Sequence, residues 1–391
     1  LSIARRLELD AQQIRLLLSA FGSAYGVGLI ALLALPVLVG ATMSTLELNE
    51  AAVGLLYTGE FTGAALSSLL ISPLTGSRNR RTMAFWGCLV AVLGNLASGL
   101  WCNYDMLLIL RPLTGLGAGV ALACGNATVT NAKDPSRMAG MMNFLFAALL
   151  VVLMVLLPAV NALWGLAAIY VTLALVMLLM SLSLLLMPQW AVGQLSVNTD
   201  SVDKGNPLLT VTGVATVTVF FLFALRDTMA WSFAERIGVS VGFTTAEVGT
   251  LLSVQGLIAV LGPLLAAVLG FRFGVKLPLL CGLVIAGSIT FLVFYSSRYP
   301  DLYSTVILFW SAGYFFCLSY LTAFAASLDL SGRIVAASGS ALVLGIAVGP
   351  AVSGNFISYG GYEMGAWVTL GLVLLMVALI TIPLAKYKAM A

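Results

Sequence analysis

Histidine is absent from all 391 residues, and with it go the commonest metal ligand and the one side chain that titrates unaided near neutral pH. Charge is nearly as scarce. Only 8% of the chain is Asp, Glu, Lys or Arg, against about 25% in a soluble domain, too little polar surface to hold a folded chain in water. The five cysteines, Cys88, Cys102, Cys124, Cys281 and Cys317, lack CxxC spacing and sit mostly inside apolar runs. They read as small apolar fillers, with a disulfide framework or a metal site the weaker reading. Without histidine and with few carboxylates, no nucleophile and base can be assembled, so neither an enzyme nor a cofactor is expected. A GxxxxGK[ST] phosphate loop is missing, so the chain does not itself hydrolyse ATP. The net charge of +3 is spread over many loops with no basic stripe, which leaves nucleic-acid binding without a footing. Repeated filter-like loops and rings of charge, the marks of a channel, are absent too.

What is present is apolar: 61% of the residues, gathered into long runs. In lipid every backbone N–H and C=O must be satisfied internally, which leaves helices or a closed barrel. The runs are about 20 to 28 residues long, enough for a helix across ~30 Å and far beyond the ~10-residue alternation of barrel strands. The fold class is therefore an all-α membrane protein. Breaks at charged, Gly/Pro and Asn/Ser clusters predict twelve spans near 16–43, 51–75, 82–102, 105–129, 138–160, 164–187, 208–236, 246–270, 277–297, 302–327, 334–358 and 364–385. The long polar gap carries Asp200, Asp203, Lys204 and Gly205. It divides the chain into an N-terminal six-helix bundle (1–187), a cytoplasmic linker (188–206) and a C-terminal six-helix bundle (207–391).

Arg5, Arg6, Glu8 and Asp10 precede a first run far longer than a signal-peptide core, and no small-residue cleavage site follows, so this helix is expected to stay in the membrane. The start at Leu1 rather than Met is read as the loss of a few leading residues. With a cytoplasmic N-terminus, the inside segments hold Arg5, Arg6, Arg15, Arg78, Arg80, Arg81, Lys133, Arg137, Lys204, Arg272, Lys276, Arg333, Lys386 and Lys388. The outside segments hold Arg236 and Arg298. That asymmetry puts both termini in the cytoplasm of a cell whose inner membrane the chain crosses many times.

The halves are related. At an offset of 195, Val53-Gly54 falls on Val248-Gly249, Leu56 on Leu251, Leu66 on Leu261 and Arg81 on Lys276. Duplicated six-helix units of this kind place a substrate site at the interface of the halves.

Two motifs then carry a family likeness. Ser72-Pro-Leu-Thr-Gly76-Ser77-Arg78-Asn79-Arg80-Arg81, between helices 2 and 3, and its partial copy Gly270-Phe-Arg272-Phe-Gly274-Val-Lys276, between helices 8 and 9, resemble G-x-L-A-D-R-x-G-R-R. Arg111-Pro-Leu-Thr-Gly115-Leu-Gly117-Ala-Gly119 fits R-x-x-x-G-x-G-x-G in helix 4. Over essentially its whole length the chain resembles the major facilitator superfamily of secondary transporters. The resemblance implies alternating access about a cavity lined by helices 1, 2, 4, 7, 8 and 10. It also implies a latch built on the aspartate of the first motif, but here Gly76 stands at that position and Ser77 at the neighbouring arginine's, so a conventional latch is in doubt. A Gly345-x-x-x-Gly349-Pro350 run ending at Gly354, similar to an antiporter signature, falls in helix 11 and reads as close helix packing.

The sharpest clue to chemistry is ionisable side chains at membrane depth. Glu60 lies about nine residues below the end of helix 2, ~13 Å deep, and Arg226 and Asp227 about ten below the end of helix 7, ~15 Å deep. Arg111 sits in the outer third of helix 4. Burial favours the neutral form of a carboxyl group and an adjacent arginine the ionised form, a balance suited to proton coupling. Glu60 and Asp227 are therefore the proton-carrier candidates, and Arg111 and Arg226 their partners or anchors for a substrate anion. Permanent structural pairing is the competing reading; neighbours i and i+1 do not face each other, so at least one of Arg226 and Asp227 must look elsewhere. Gln255, the counterpart of Glu60, and the aromatics Tyr57, Trp231 and Tyr314 complete the candidate site, with helix packing as the alternative for each. Glu235 and Arg236 are expected to snorkel to water, with gating the weaker reading. The expected function is secondary, proton-coupled transport of a small anionic or zwitterionic organic solute, or else proton-antiport export of a drug or metabolite, siderophores included. The expected partners are substrate, protons and the lipid bilayer, around a monomer.

Overall fold

The structure is a computed structural model that describes residues 10–190, 207–270, 272–328 and 333–386. Among these, nine helical stretches are long and apolar enough to cross a bilayer. Two of them, Arg137–Leu186 and Arg333–Ala385, run 50 and 53 residues, each more than twice the ~20 needed for one crossing. Each is interrupted where glycine takes a left-handed φ that other residues resist: Gly165 at 74°, and Gly361 at 68° after a non-helical Gly360. Each therefore holds two spans. With Glu50–Ile71, the crossings number twelve, as the sequence predicts.

In chain order they are α1 (Ala11–Leu46), α2 (Glu50–Ile71), α3 (Arg80–Leu100), α4 (Tyr104–Val129), α5 (135–164), α6 (166–186), α7 (Val211–Ser240), α8 (Thr245–Leu269), α9 (Lys276–Tyr295), α10 (Pro300–Leu328), α11 (333–359) and α12 (362–386). Short polar residues start them by accepting the first free N–H groups: Asp10 from Gln13 (2.9 Å), Asn79 from Thr82 (3.1 Å), Asn103 from Met106 (3.1 Å) and Thr210 from Gly213 (3.0 Å). Thr244 and Glu247 form a reciprocal capping box on α8. The sequence-predicted boundaries hold to within about five residues, the largest difference being the start of α1 at Ala11. The linker residues 191–206 and the charges Arg5, Arg6, Glu8, Lys204 and Lys388 lie outside the described residues.

The chain divides into two compact units that do not follow its linear order. One comprises Leu1–Leu33, Thr62–Leu149 and Leu166–Thr199; the other Ala34–Phe61, Leu150–Gly165 and Asp200–Ala391. In the first, α1 carries a π-helical turn, Ala24–Gly28, anchored where Ser23 Oγ donates to the Ala121 carbonyl of α4 (2.7 Å). Gly87 and Gly117 face each other so closely across α3 and α4 that a methyl group on either would strike the other's carbonyl.

The second unit joins the C-terminal part of α1, the N-terminal part of α2 and residues 150–165 of α5 to α7–α12. Here the duplicated glycines do matching work. Gly54 of α2 lies against the Pro350 carbonyl of α11, and Gly249 of α8 against the Met154 carbonyl of α5. Side chains tie the same helices: Thr58 accepts from Ala351 N (2.9 Å), Ser358 from Ala51 N (2.9 Å), and Ser253 donates to the Val151 carbonyl (3.2 Å). Gly345 and Gly349 bring α11 against α7, and Gly354 meets the Glu50 carbonyl, so the helix 11 glycines act through packing.

Candidate functional site

In the first unit, Arg111 is fully buried on α4. A charged side chain in the middle of a membrane helix costs about 3 kcal/mol unless it is compensated. Here Nη1 donates to Asn95 Oδ1 (3.3 Å), while Nη2 donates to the Gly94 carbonyl (3.2 Å), Thr114 Oγ1 (3.2 Å) and Ser98 Oγ. The guanidinium also lies 4.7 Å from the centre of the Tyr170 ring. These partners come from α3, α4 and α6, so Arg111 binds three helices of one unit together. The glycines that follow it serve the same packing: Gly115 is buried, Gly117 faces α3, and Gly119 meets the Ala64 carbonyl of α2.

The second unit holds the other charged centre. Arg226 and Asp227, halfway along α7, both reach neighbouring helices, as their i, i+1 spacing requires. Nη1 of Arg226 donates to the Ala286 carbonyl (2.6 Å) and Thr290 Oγ1 on α9, and the Phe223 ring lies 5.0 Å away. Asp227 Oδ1 accepts from Trp310 Nε1 on α10 (2.8 Å) and lies 3.7 Å from Arg226 Nη2. The two residues differ in access: Arg226 is sealed, whereas the Asp227 side chain is 20% exposed. Nε and Nη2 of Arg226 have no hydrogen-bond partner. Two nitrogens of this guanidinium thus keep donor capacity in reserve.

Aromatic rings enclose the pair. Trp231 packs edge-on against Trp310 (5.7 Å between centres), and Tyr314 stacks on Phe223 (4.8 Å). Trp231 and Tyr314 therefore join Arg226 and Asp227 in one cluster. The sequence offered Trp310, the hydrogen-bond partner of Asp227, only as one of several aromatics that could line a cavity, because nothing in a run of apolar residues marks which ring faces an acid. Thr290 was missed for the same reason.

The remaining candidates stand elsewhere. Gln255 is buried on α8 and donates from Nε2 to Ser311 Oγ on α10 (2.7 Å), so its amide nitrogen serves helix packing. Tyr57 is buried between α1 and α2, its hydroxyl 2.8 Å from Thr42 Oγ1 and donating to the Leu38 carbonyl (3.3 Å). Glu60 is buried one turn further along α2. Glu235 contradicts its expectation. It does not snorkel: Gly40 of α1 and Thr245 of α8 cover it, and it is 2% exposed. Arg236 behaves closer to expectation, half-buried with Nη1 on Ser44 Oγ (2.8 Å).

The motif after α2 works without its aspartate. Gly76 merely ends the Ser72–Thr75 turn with an ordinary negative φ. Arg80 is buried and donates from Nε to the Thr75 carbonyl (3.2 Å) and from Nη1 to the Ala127 carbonyl near the end of α4 (2.9 Å). Arg81 Nε holds the Met187 carbonyl beyond α6 (2.8 Å). Cations on C-terminal carbonyls match the helix dipoles and replace an acidic partner. In the second copy Gly270 and Gly274 adopt φ of 50° and 68°, the conformation that demands glycine, while Arg272 and Lys276 are exposed.

Among the described residues, twelve helices with charge buried inside them define a polytopic membrane protein of the transporter class. The chain belongs to the major facilitator superfamily, whose profile matches residues 7–214. No curated protein matches the chain. Among solved structures it is similar to the nucleoside transporter NupG, with a TM-score of 0.71 at 13% identity over 97% of this chain and 100% of that one. It is also similar to a bacterial homolog of the human lysosomal transporter Spinster, in an inward-facing and unoccupied conformation, with a TM-score of 0.68 at 16% identity over 97% of this chain and 96% of that one. At these identities the likeness establishes the fold.

Proposed function

We propose that this transporter moves a small anionic or zwitterionic organic solute together with protons by alternating access, its moving bodies being the duplicated bundles 1–187 and 207–391. In this reading both termini face the cytoplasm of a cell whose inner membrane holds the protein. The observation that carries the proposal is the unequal pair on α7: a sealed Arg226 with two guanidinium nitrogens lacking hydrogen bonds, beside a partly exposed Asp227.

The coupling follows from charge balance. While Asp227 is ionised, it neutralises Arg226 across 3.7 Å. Protonation removes that anion and leaves the guanidinium uncompensated in a low-dielectric site, where a substrate carboxylate or phosphate restores neutrality. Proton and anion thus bind as a neutral pair. Trp310 keeps Asp227 in place in either state, and the rings of Trp231, Tyr314 and Phe223 offer stacking surface for the organic part of the solute. That aromatic surface makes organic anions that carry a flat ring the first to screen. It also supports the second reading, proton-antiport export of an aromatic drug or metabolite.

Proteoliposomes under an imposed inward proton gradient separate the two. Symport fills the vesicles and antiport empties them. Asp227→Asn retains an acceptor for Trp310, so it is expected to bind solute while losing most of the acceleration by the gradient. Unchanged gradient dependence in this variant would overturn the coupling assignment.

A further inference from the structure

The second unit buries a carboxyl group that the site above does not use. Glu235, two turns beyond Asp227 on α7, is 2% exposed. Its Oε1 accepts from Thr245 Oγ1 of α8 (2.9 Å), but its Oε2 has no hydrogen-bond partner. That oxygen faces Gly40 of α1, where even a Cβ atom would collide with it. The adjacent cation, Arg236, directs Nη1 to Ser44 on α1 and acts on the carboxyl through space. The other titratable groups within electrostatic reach are Tyr303 of α10 and Tyr362 of α12, and the Tyr303 hydroxyl is already donated to the Ala234 carbonyl (2.7 Å). From α1 and α8, Gly40 and Thr245 meet the carboxyl and Ser44 meets Arg236.

An anionic oxygen sealed against a glycine with no donor is among the costliest arrangements a protein interior can hold, whereas a neutral carboxyl group loses little there. We propose that Glu235 is a second proton-binding site, and that α1 seats on α7 and α8 at Gly40 only when this carboxyl is protonated. The proposal rests on the alternating-access reading. When α1 leaves, Oε2 meets water, the group ionises, and the anion resists the return of α1 until a proton is taken up from that side. Glycine at position 40 leaves the space that Oε2 occupies, since a Cβ there would overlap the carboxyl unless it swung aside. Asp227 would set which solute travels with a proton, and Glu235 whether this end can close.

The test is a distance measurement between spin labels at Glu47→Cys and Ser240→Cys, exposed positions at the ends of α1 and α7. The five native cysteines are replaced beforehand. In lipid nanodiscs titrated across the range where buried carboxyls ionise, about pH 4 to about pH 9, the wild-type background is expected to shift from a short to a long distance as pH rises. Glu235→Gln is expected to hold the short distance throughout. Thr245→Val removes the donor that favours the carboxylate, so it is expected to move the midpoint to higher pH, and it perturbs folding less. Identical pH dependence in Glu235→Gln and the wild type, or an unmoved midpoint in Thr245→Val, overturns the proposal. Two populated distances insensitive to pH overturn it while leaving alternating access intact. A single distance under every condition sinks both.

Discussion

Two buried arginines have different surroundings, and the difference predicts different phenotypes. Arg111 reaches four acceptors on α3 and α4. Replacing it with leucine strands Asn95 and Ser98 without their donor, at a cost of about 2 to 4 kcal/mol. Arg111→Leu should therefore lower the thermal midpoint in detergent by several degrees. Arg226→Lys should do the opposite: the stem still reaches α9, stability changes little, and solute affinity falls at least about tenfold because a point charge replaces a planar fork. Paired thermal shift and binding measurements distinguish these outcomes. At the start of α1, Asp10 is held below the usual carboxylate range, first by the hydrogen bond from Lys133 (2.6 Å) and then by the N–H of Gln13. A folded value below the unfolded one means its contribution is present at neutral pH and lost as pH falls through the folded value. Asp10→Asn should thus weaken the protein slightly near neutrality, and the difference from wild type should vanish in acid.

Among whole elements, the most demanding constraint is close approach. Gly54 on α2 and Gly249 on α8 occupy matching places in the duplication, and each lies against a carbonyl of a proline-bearing helix, Pro350 in α11 and Met154 near Pro158 in α5. A leucine at either position has nowhere to go, and backbone cannot yield as a flexible side chain does. Gly54→Leu and Gly249→Leu should each abolish transport while the protein still inserts and spans. Similar severity at both positions would bear out the functional equivalence; a silent variant at either would contradict it. The basic clamps after α2 act likewise at this scale. Arg80 and Arg81 hold backbone carbonyls near the ends of α4 and α6, so the loop is braced with glycine at position 76.

Over the whole molecule, the proposed cycle requires the α2 to α11 seam to part on each turnover. Ala51 N lies 2.9 Å from Ser358 Oγ at one end of that seam. In a cysteine-free background, Ala51→Cys with Ser358→Cys should cross-link on oxidation, stop transport, and recover it on reduction. Cross-linking with undiminished transport would show that the seam stays shut during the cycle, and the rocking-bundle proposal would fail with it. The two compact units cut across α1, α2 and α5, so the described state groups parts of the first bundle with the second.

The helices, their number and the deep charges were legible in the residues themselves, because an apolar run in lipid has no alternative to a helix and a charge within it stands out against Leu and Val. The break at Gly360–Gly361 fell in a predicted gap between spans, whereas Gly165 lay just inside a predicted span. Which partner each charge acquired was not legible. Arg111 and Arg226 look alike in the chain, yet one donates to side chains of α3 and α4 and the other to α9 beside an acid, a distinction set by residues up to 64 positions away. The burial of Glu235 depended on a glycine far upstream in α1. Hydropathy and helical period are local properties that a chain carries wherever it goes. Hydrogen-bond partners and sealed carboxyls arise only when distant helices pack, and that packing is decided in three dimensions.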